Sequence, residues 1–153
     1  MDNFDKFYNK AIYFLSFRPR SEKELRDYLK KNKVDDLTSQ KIIQSLLENN
    51  FLNDEEFAKW FKQQRTHIKP KATRVIKMEL KQKGIAEEII SEIFKDETES
   101  DFEKALMLAE KRITRYLNIQ DKRKVYEKMG RYLASKGFNY DVIKEVIDQV
   151  FSK

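Results

Sequence analysis

The sequence predicts an all-α protein, an elongated curved array of three tandem three-helix repeats, and three observations carry that expectation. First, the chain repeats itself: Leu29–Val34 reads LKKNKV, Leu80–Ile85 reads LKQKGI and Leu133–Phe138 reads LASKGF, at offsets of 51 and 53 residues. Self-similarity at a near-constant spacing marks stacked supersecondary units. Second, three Gly and two Pro in 153 residues, with 38% charged side chains, leave little turn chemistry for a sheet. Third, apolar residues recur at spacings of three and four, the period of an amphipathic helix. In such arrays each unit mainly contacts its neighbours, which produces an extended curve.

The elements follow in order. Phe4, Phe7, Tyr8, Ala11, Phe14 and Leu15 form the apolar face of a helix over 4–17, stopped by Arg18-Pro19 because a residue before proline is driven out of the helical region. Ser21 and Glu24 have the spacing of a capping box, and the helix they open buries Leu25, Tyr28 and Leu29 and ends near Asn32. A third helix over 38–49 buries Ile42, Ile43, Leu46 and Leu47. The second repeat opens at Asn53 or Asp54, both good N-caps, with Phe57, Ala58, Trp60 and Phe61 inward. Pro70 suits the first turn of the next helix, and Gly84 its left-handed end. Helices over 86–94, 99–118, 122–136 and from Asn139 onward complete the chain. From Ile85, apolar residues fall at +4, +5, +8 and +9, and the same offsets from Phe138 give Val142, Ile143, Val146 and Ile147. The first repeat shows this pattern after a four-residue insertion near Asp35. The repeats therefore span 1–52, 53–98 and 99–153.

Composition excludes several classes of function. Without cysteine there is no disulfide framework and no thiolate metal site, which suits a cytoplasmic protein. The start MDNFDKFYNK is polar where a signal peptide is basic and then apolar, and no apolar run nears the ~20 residues that span a bilayer. The chain reads as soluble, with no membrane partner. His67 is the only histidine and has no second imidazole or thiolate to share a metal. Glu79 falls on an apolar face and is expected to pair with a cation, Arg65 being the candidate. One carboxylate without a partner base is no general acid–base pair, and phosphate loops, nucleophile elbows and HExxH motifs are missing. The reading is of a protein that is not an enzyme and carries no cofactor.

The net charge is +6 and is segregated. Residues 62–83 hold eight Lys or Arg against Glu79 alone, and the sign reverses over Glu87, Glu88, Glu92, Asp96, Glu97, Glu99 and Asp101. At about 100° per residue, Arg74, Lys77 and Lys81 form one stripe opposite Ala72, Val75, Ile76 and Leu80. Moving back 51 positions gives Lys23, Arg26 and Lys30, and moving forward 53 gives Glu127, Gly130 and Ala134, where the stripe is lost. In the third repeat Lys124 and Arg131 partly replace it on a rotated face. A basic stripe is commonly a solvated helix face. Recurrence at equivalent positions points instead to a track for phosphates or an acidic protein surface.

These motifs together resemble the RecX regulators of the bacterial RecA recombinase. The matching residues are Arg20-Ser21, Glu24-Leu25 and Leu29; then Phe51-Leu52-Asn53-Asp54, Phe57-Ala58, Phe61 and Arg65; then Ile76, Glu79-Leu80 and Lys83-Gly84-Ile85. The third repeat matches by helical pattern and Lys136-Gly137-Phe138. Two glycines usual in the family are missing: Ile68-Lys69-Pro70-Lys71 stands in the hinge of the second repeat, and Asn32-Lys33 ends the middle helix of the first. The resemblance implies a crescent of three-helix repeats that binds the RecA–DNA filament and suppresses the ATPase, strand-exchange and coprotease activities of RecA, with direct DNA binding in some members. On that reading Lys23, Arg26, Lys30, Arg65, Lys69, Lys71, Arg74, Lys77 and Lys81 contact filament or DNA, single-stranded and in some cases double-stranded. A monomer is the default expectation, since the terminal apolar faces can close within each unit. A stand-alone helical DNA-binding protein and a helical scaffold for an unrelated protein are the rival readings.

Overall fold

The computed structural model describes residues 3–96 and 100–152, so Glu97 and Glu99 of the acidic segment, and the repeat boundary at 98/99, lie outside the described residues. All regular structure among those described is helical. The elements are α1 (Asn3–Phe17), α2 (Glu22–Lys31), α3 (Asp36–Glu48), α4 (Asp54–Gln63), α5 (Thr73–Gln82), α6 (Glu87–Ile93), α7 (Asp101–Arg112), α8 (Lys122–Ser135) and α9 (Tyr140–Phe151). A π-helical turn, Gln64–Ile68, follows α4, and a 3₁₀ turn, Ile113–Tyr116, follows α7.

Side-chain caps start most of these helices by satisfying a free N–H of the first turn. Ser21 and Glu24 make the full capping box of α2. Asp35 accepts from the Thr38 N–H, Asn53 from Glu56, Ser100 from Glu103, Asp121 from Arg123 and Asn139 from Val142. At the other end of the repeated signature, Gly84 and Gly137 take φ values of 80° and 93°. Lys33 holds the equivalent place in the first repeat at φ 62°, a left-handed conformation that costs a residue with a Cβ roughly 1–2 kcal/mol.

Five local expectations need correction. Leu47 is exposed, because Ile42, Ile43 and Leu46 take the interior face of α3. Pro70 does not lie in a helical first turn; it is buried in the connection, and α5 begins at Thr73. The preceding N–H groups bond elsewhere, Lys71 to the Arg65 carbonyl and Ala72 to the Lys136 carbonyl, at 3.0 Å each. The hinge around His67 is a π turn, closed by the Lys69 N–H on the Gln64 carbonyl at 2.9 Å. The first helix of the third repeat ends at Arg112 and tightens into the 3₁₀ turn, which Tyr116 anchors in the core. Trp60 is half-buried, because Phe57 and Phe61 take the interior positions and the Arg18 guanidinium lies 5.4 Å from the Trp60 ring centroid.

The chain forms two compact units. One comprises the residues up to Phe61 together with Glu79–Lys95, and the other comprises Lys62–Met78 with the residues from Asp96 on. In the first, α1, α2 and α3 close over Ala11, Leu25, Leu29, Ile42, Ile43 and Leu46. In the second, α7, α8 and α9 enclose Ala105, Leu108, Ala109, Met129, Leu133 and Val146, with Ala72 and Val75 of the α5 end against them. Fully burying one such leucine contributes about 1.5–3 kcal/mol.

Both units contain the same long-range device. In the first, Asp54 at the start of α4 accepts the Glu22 N–H at 2.8 Å, so α2 is capped by a carboxylate from the following repeat. Burial, and then the nearby Glu22 charge, raise the Asp54 pKa, and the Glu22 N–H opposes them. In the second, Asp101 at the start of α7 accepts both the Thr73 N–H at 2.9 Å and its hydroxyl at 3.0 Å. Lys104, 1% exposed, completes this node by pairing with Asp101 at 3.3 Å and donating to the Thr73 hydroxyl at 3.1 Å.

The glycines at the signature ends have a second role. A Cβ on Gly137 would lie 2.2 Å from Val75 Cγ2, and one on Gly84 would lie 2.7 Å from Lys23 Cβ, so glycine permits a close helix approach as well as the turn. Gly130, inside α8, meets nothing nearer than the Ile143 and Ile147 methyls at 4.0 Å. Gly137→Ala is therefore expected to destabilise by about 2–5 kcal/mol, a left-handed penalty added to overpacking. Gly130→Ala is expected to gain about 0.5–1 kcal/mol from helix propensity. Urea unfolding of the two variants checks this, and equal effects would contradict it.

Candidate nucleic-acid interface

The structure divides the nine sequence-predicted cations between the two units. Lys23, Arg26, Lys30 and Lys81 belong to the first, and Arg65, Lys69, Lys71, Arg74 and Lys77 to the second. On α2, Lys23, Arg26 and Lys30 are exposed on the face opposite the fully buried Leu25 and Leu29. On α5, Arg74, Lys77 and Lys81 are exposed opposite Ala72, Ile76 and Leu80, all at 0%. Lys69 is exposed just after the π turn, while Arg65 and Lys71 are half-buried. His67 is exposed and Glu79 half-buried.

Packing fixes the stem of Lys23 while its charged head stays exposed. The Lys23 stem lies over Gly84, so the absent Cβ of a turn in α5–α6 sets where Lys23 emerges. Arg26 and Lys30 flank a cleft of about 400 Å³ between α2 and α3, with Asp27 and Asp36 also on its wall. Lys23 pairs with Asp27 at 3.3 Å, Arg26 with Glu22 at 2.7 Å and Lys81 with Glu87 at 3.2 Å. Solvent-exposed pairs of this kind contribute about 0–1 kcal/mol, so a phosphate can replace the carboxylate at little cost. Lys30, Lys69 and Arg74 form no ion pair among the described residues.

One half-buried carboxylate ties together the cations around α2. Glu24 accepts from Arg18 in a two-pronged pair and from the Ser21 N–H at 3.0 Å, and Lys83 lies 3.3 Å away. Burial works to raise its pKa. The hydrogen bonds from Arg18 and Ser21 and the charges of Arg18 and Lys83 outweigh burial and hold it below the usual carboxylate value. The sequence reading took Glu24 only as a cap. Its ties to Arg18 and Lys83 span 6 and 59 residues, so periodicity gives no sign of the longer one.

On the third repeat two cations that the sequence did not single out, Arg112 and Lys128, stand with Arg131, which it did. Arg112 at the end of α7 and Lys128 and Arg131 on α8 line a common cleft with Tyr116 and Tyr132. Lys128, Arg131 and Ser135 have the same i, i+3, i+7 spacing as the predicted stripes, which is the signal that could have found them. The positions equivalent to Lys23 and Arg74 carry no stripe in the third repeat, and of the two cations expected to replace it, Arg131 lines the cleft and Lys124 does not. No group of His, Cys, Asp and Glu among the described residues is arranged to hold a metal ion, and no described helix is long and apolar enough to cross a membrane.

The fold and its cations define an all-helical protein built from tandem three-helix domains with exposed basic helix faces. Family models of RecX match in order: the first three-helix domain over 8–46, the second over 53–93 and the third over 99–147. A regulatory protein RecX from Streptococcus uberis is 36% identical over 90% of this chain and 53% of its own length. One from Clostridioides difficile is 34% identical over 94% of this chain and 68% of its own. The crystal structure of RecX from Lactobacillus salivarius aligns with a TM-score of 0.72 at 31% identity, covering 95% of both chains. The chain belongs to the RecX family of regulatory proteins. It spans about half the length of several of the curated relatives it matches.

If the surface ion pairs only occupy the cations in the absence of a partner, removing the acids should expose them. The double variant Asp27→Asn/Glu87→Gln is expected to keep its stability within about 1 kcal/mol. It should also elute from heparin at higher salt than the parent, because Lys23 and Lys81 are released. Earlier elution would contradict the exchange of carboxylate for phosphate.

Proposed function

We propose that this chain binds the RecA–DNA filament and mainly inhibits RecA, lowering its ATPase, strand-exchange and coprotease activities by occupying the filament. What carries the reading is the recurrence, in a member of the RecX family, of exposed cations at repeat-equivalent positions: Lys23, Arg26 and Lys30 on α2, and Arg74, Lys77 and Lys81 on α5. A regulator of this kind needs no reacting group and no cofactor of its own. It acts as a cytoplasmic monomer whose functional repeats are 1–52, 53–98 and 99–153.

The physical basis is phosphate neutralisation. Each Lys or Arg seated on a phosphate releases condensed counterions, so affinity falls steeply as salt rises. The sequence-independent character of such contacts suits a partner that coats DNA of any sequence. Arg65, Lys69 and Lys71 add to the α5 cations from the π turn and the connection that follows it. A stand-alone DNA-binding role draws on the same charge, and the partner in the assay separates the two readings.

The triple variant Arg74→Glu/Lys77→Glu/Lys81→Glu should fold normally, since all three side chains are exposed. It should bind a RecA filament on single-stranded DNA at least about tenfold more weakly than the parent at moderate salt, with a shallower salt dependence. Sedimentation of filaments with the labelled protein measures this. Undiminished binding would contradict the assignment of these cations, and binding to naked DNA but not to filaments would favour the stand-alone role.

A further inference from the structure

The cleft on the third repeat stands apart from the nine cations discussed above. It is a cavity of about 400 Å³, within the roughly 300–1,000 Å³ of ligand-binding clefts, and is lined by Arg112, Tyr116, Lys128, Arg131, Tyr132 and Ser135. Three cations converge there from two helices, and no carboxylate lines it. Arg112, Lys128 and Arg131 form no ion pair among the described residues.

Arg112 is held ready for an anion. Its guanidinium carbon lies 4.3 Å from the Tyr132 ring centroid, and its Nε donates to the Tyr116 hydroxyl at 3.4 Å. Those contacts orient the planar fork and leave its two terminal amino groups without a protein acceptor among the described residues. Tyr116 is 9% exposed and packed in the core, so the hydroxyl that accepts from Nε is held in place. Lys136 Nζ, 5.6 Å from the Tyr132 ring centroid, adds further positive charge beside the same aromatic group.

We infer that this cleft is a phosphate site that takes a phosphodiester of a single-stranded nucleic acid. A planar carboxylate is satisfied by one guanidinium fork, whereas donors arriving from α7 and α8 suit the several oxygens of a tetrahedral phosphate. The cleft is open, so a strand can enter and leave along it, and the exposed Lys128 and Arg131 are placed to contact it. This inference stands on the cleft alone and holds whether or not a RecA filament is the partner.

The test uses the full chain and a fluorescein-labelled oligothymidylate, without RecA. Lys128→Glu/Arg131→Glu is compared with Lys122→Glu/Lys144→Glu, an equal charge reversal at exposed positions of the same repeat outside the cleft. Circular dichroism confirms that both variants are folded. The cleft variant is expected to lose at least about tenfold in affinity and to flatten the plot of log affinity against log salt by about 0.7 per phosphate lost, with the control changing less than about threefold. Equal losses in both variants would reduce the effect to net charge and overturn the site, as would no loss in either. In a second arm, the Arg112 Nε resonance is followed by NMR at constant ionic strength. It should shift with micromolar strand and only with millimolar inorganic phosphate. A shift with micromolar inorganic phosphate would overturn the nucleic-acid assignment in favour of a free phosphate, and no shift with either would overturn the site.

Discussion

The carboxylate that a following repeat lends to the middle helix before it is the interaction on which the remaining structure depends. Asp54 holds the first turn of α2 in one unit, and Asp101 holds that of α5 in the other. The second node is the more demanding, because it also neutralises a lysine that is 1% exposed. A buried ammonium left without its carboxylate costs roughly 3–5 kcal/mol, a large part of the 5–15 kcal/mol that stabilises a typical domain. Cap, ion pair and hydroxyl therefore stand or fall together. Each places the helix start at one residue, and with it the direction in which the cations of that helix emerge.

Glycine enforces the same placement from the other side. Gly84 lies under Lys23, and Gly137 under Val75, at separations that no Cβ could share. Helix starts are thus fixed by hydrogen bonds and helix approach by missing atoms, neither of which requires a large core. Glu24 ties the arrangement to pH. Its folded pKa lies below the ordinary carboxylate value, so the stability it contributes is present above that ordinary value and is lost as pH falls through the folded one. Arg18, Ser21 and Lys83 supply that stabilisation together, which links the start of α2 to the end of α5 within one unit.

Much of this was legible in the sequence, for reasons that can be named. The all-helical class followed from apolar spacing and from a signature that recurs at Leu29, Leu80 and Leu133, and all three leucines are fully buried. The capping box at Ser21 and the left-handed glycines were legible because they are local, set within three or four residues. Contacts across long separations were hidden. Nothing in the local pattern announces that Asp101 caps a helix 28 residues earlier, or that Lys71 and Ala72 bond to the Arg65 and Lys136 carbonyls and α5 starts only at Thr73. The π turn at Gln64–Ile68 was hidden too, since one added residue per turn leaves no compositional trace. Among the candidate contact residues, exposure of the α2 and α5 stripes followed from the helical wheel. The Arg112–Lys128–Arg131 cleft was legible only at Arg131, because its cations come from two helices.

The central claim is that this chain regulates a filament by occupying it, with no chemistry of its own. The most direct measurement is the single-stranded-DNA-dependent ATPase of the cognate RecA, titrated with this protein at fixed moderate salt and with DNA in excess. The account predicts inhibition that saturates at or below one protein per RecA protomer, although naked DNA remains available to absorb a simple competitor. An ATPase unchanged up to a large molar excess of this protein would contradict it.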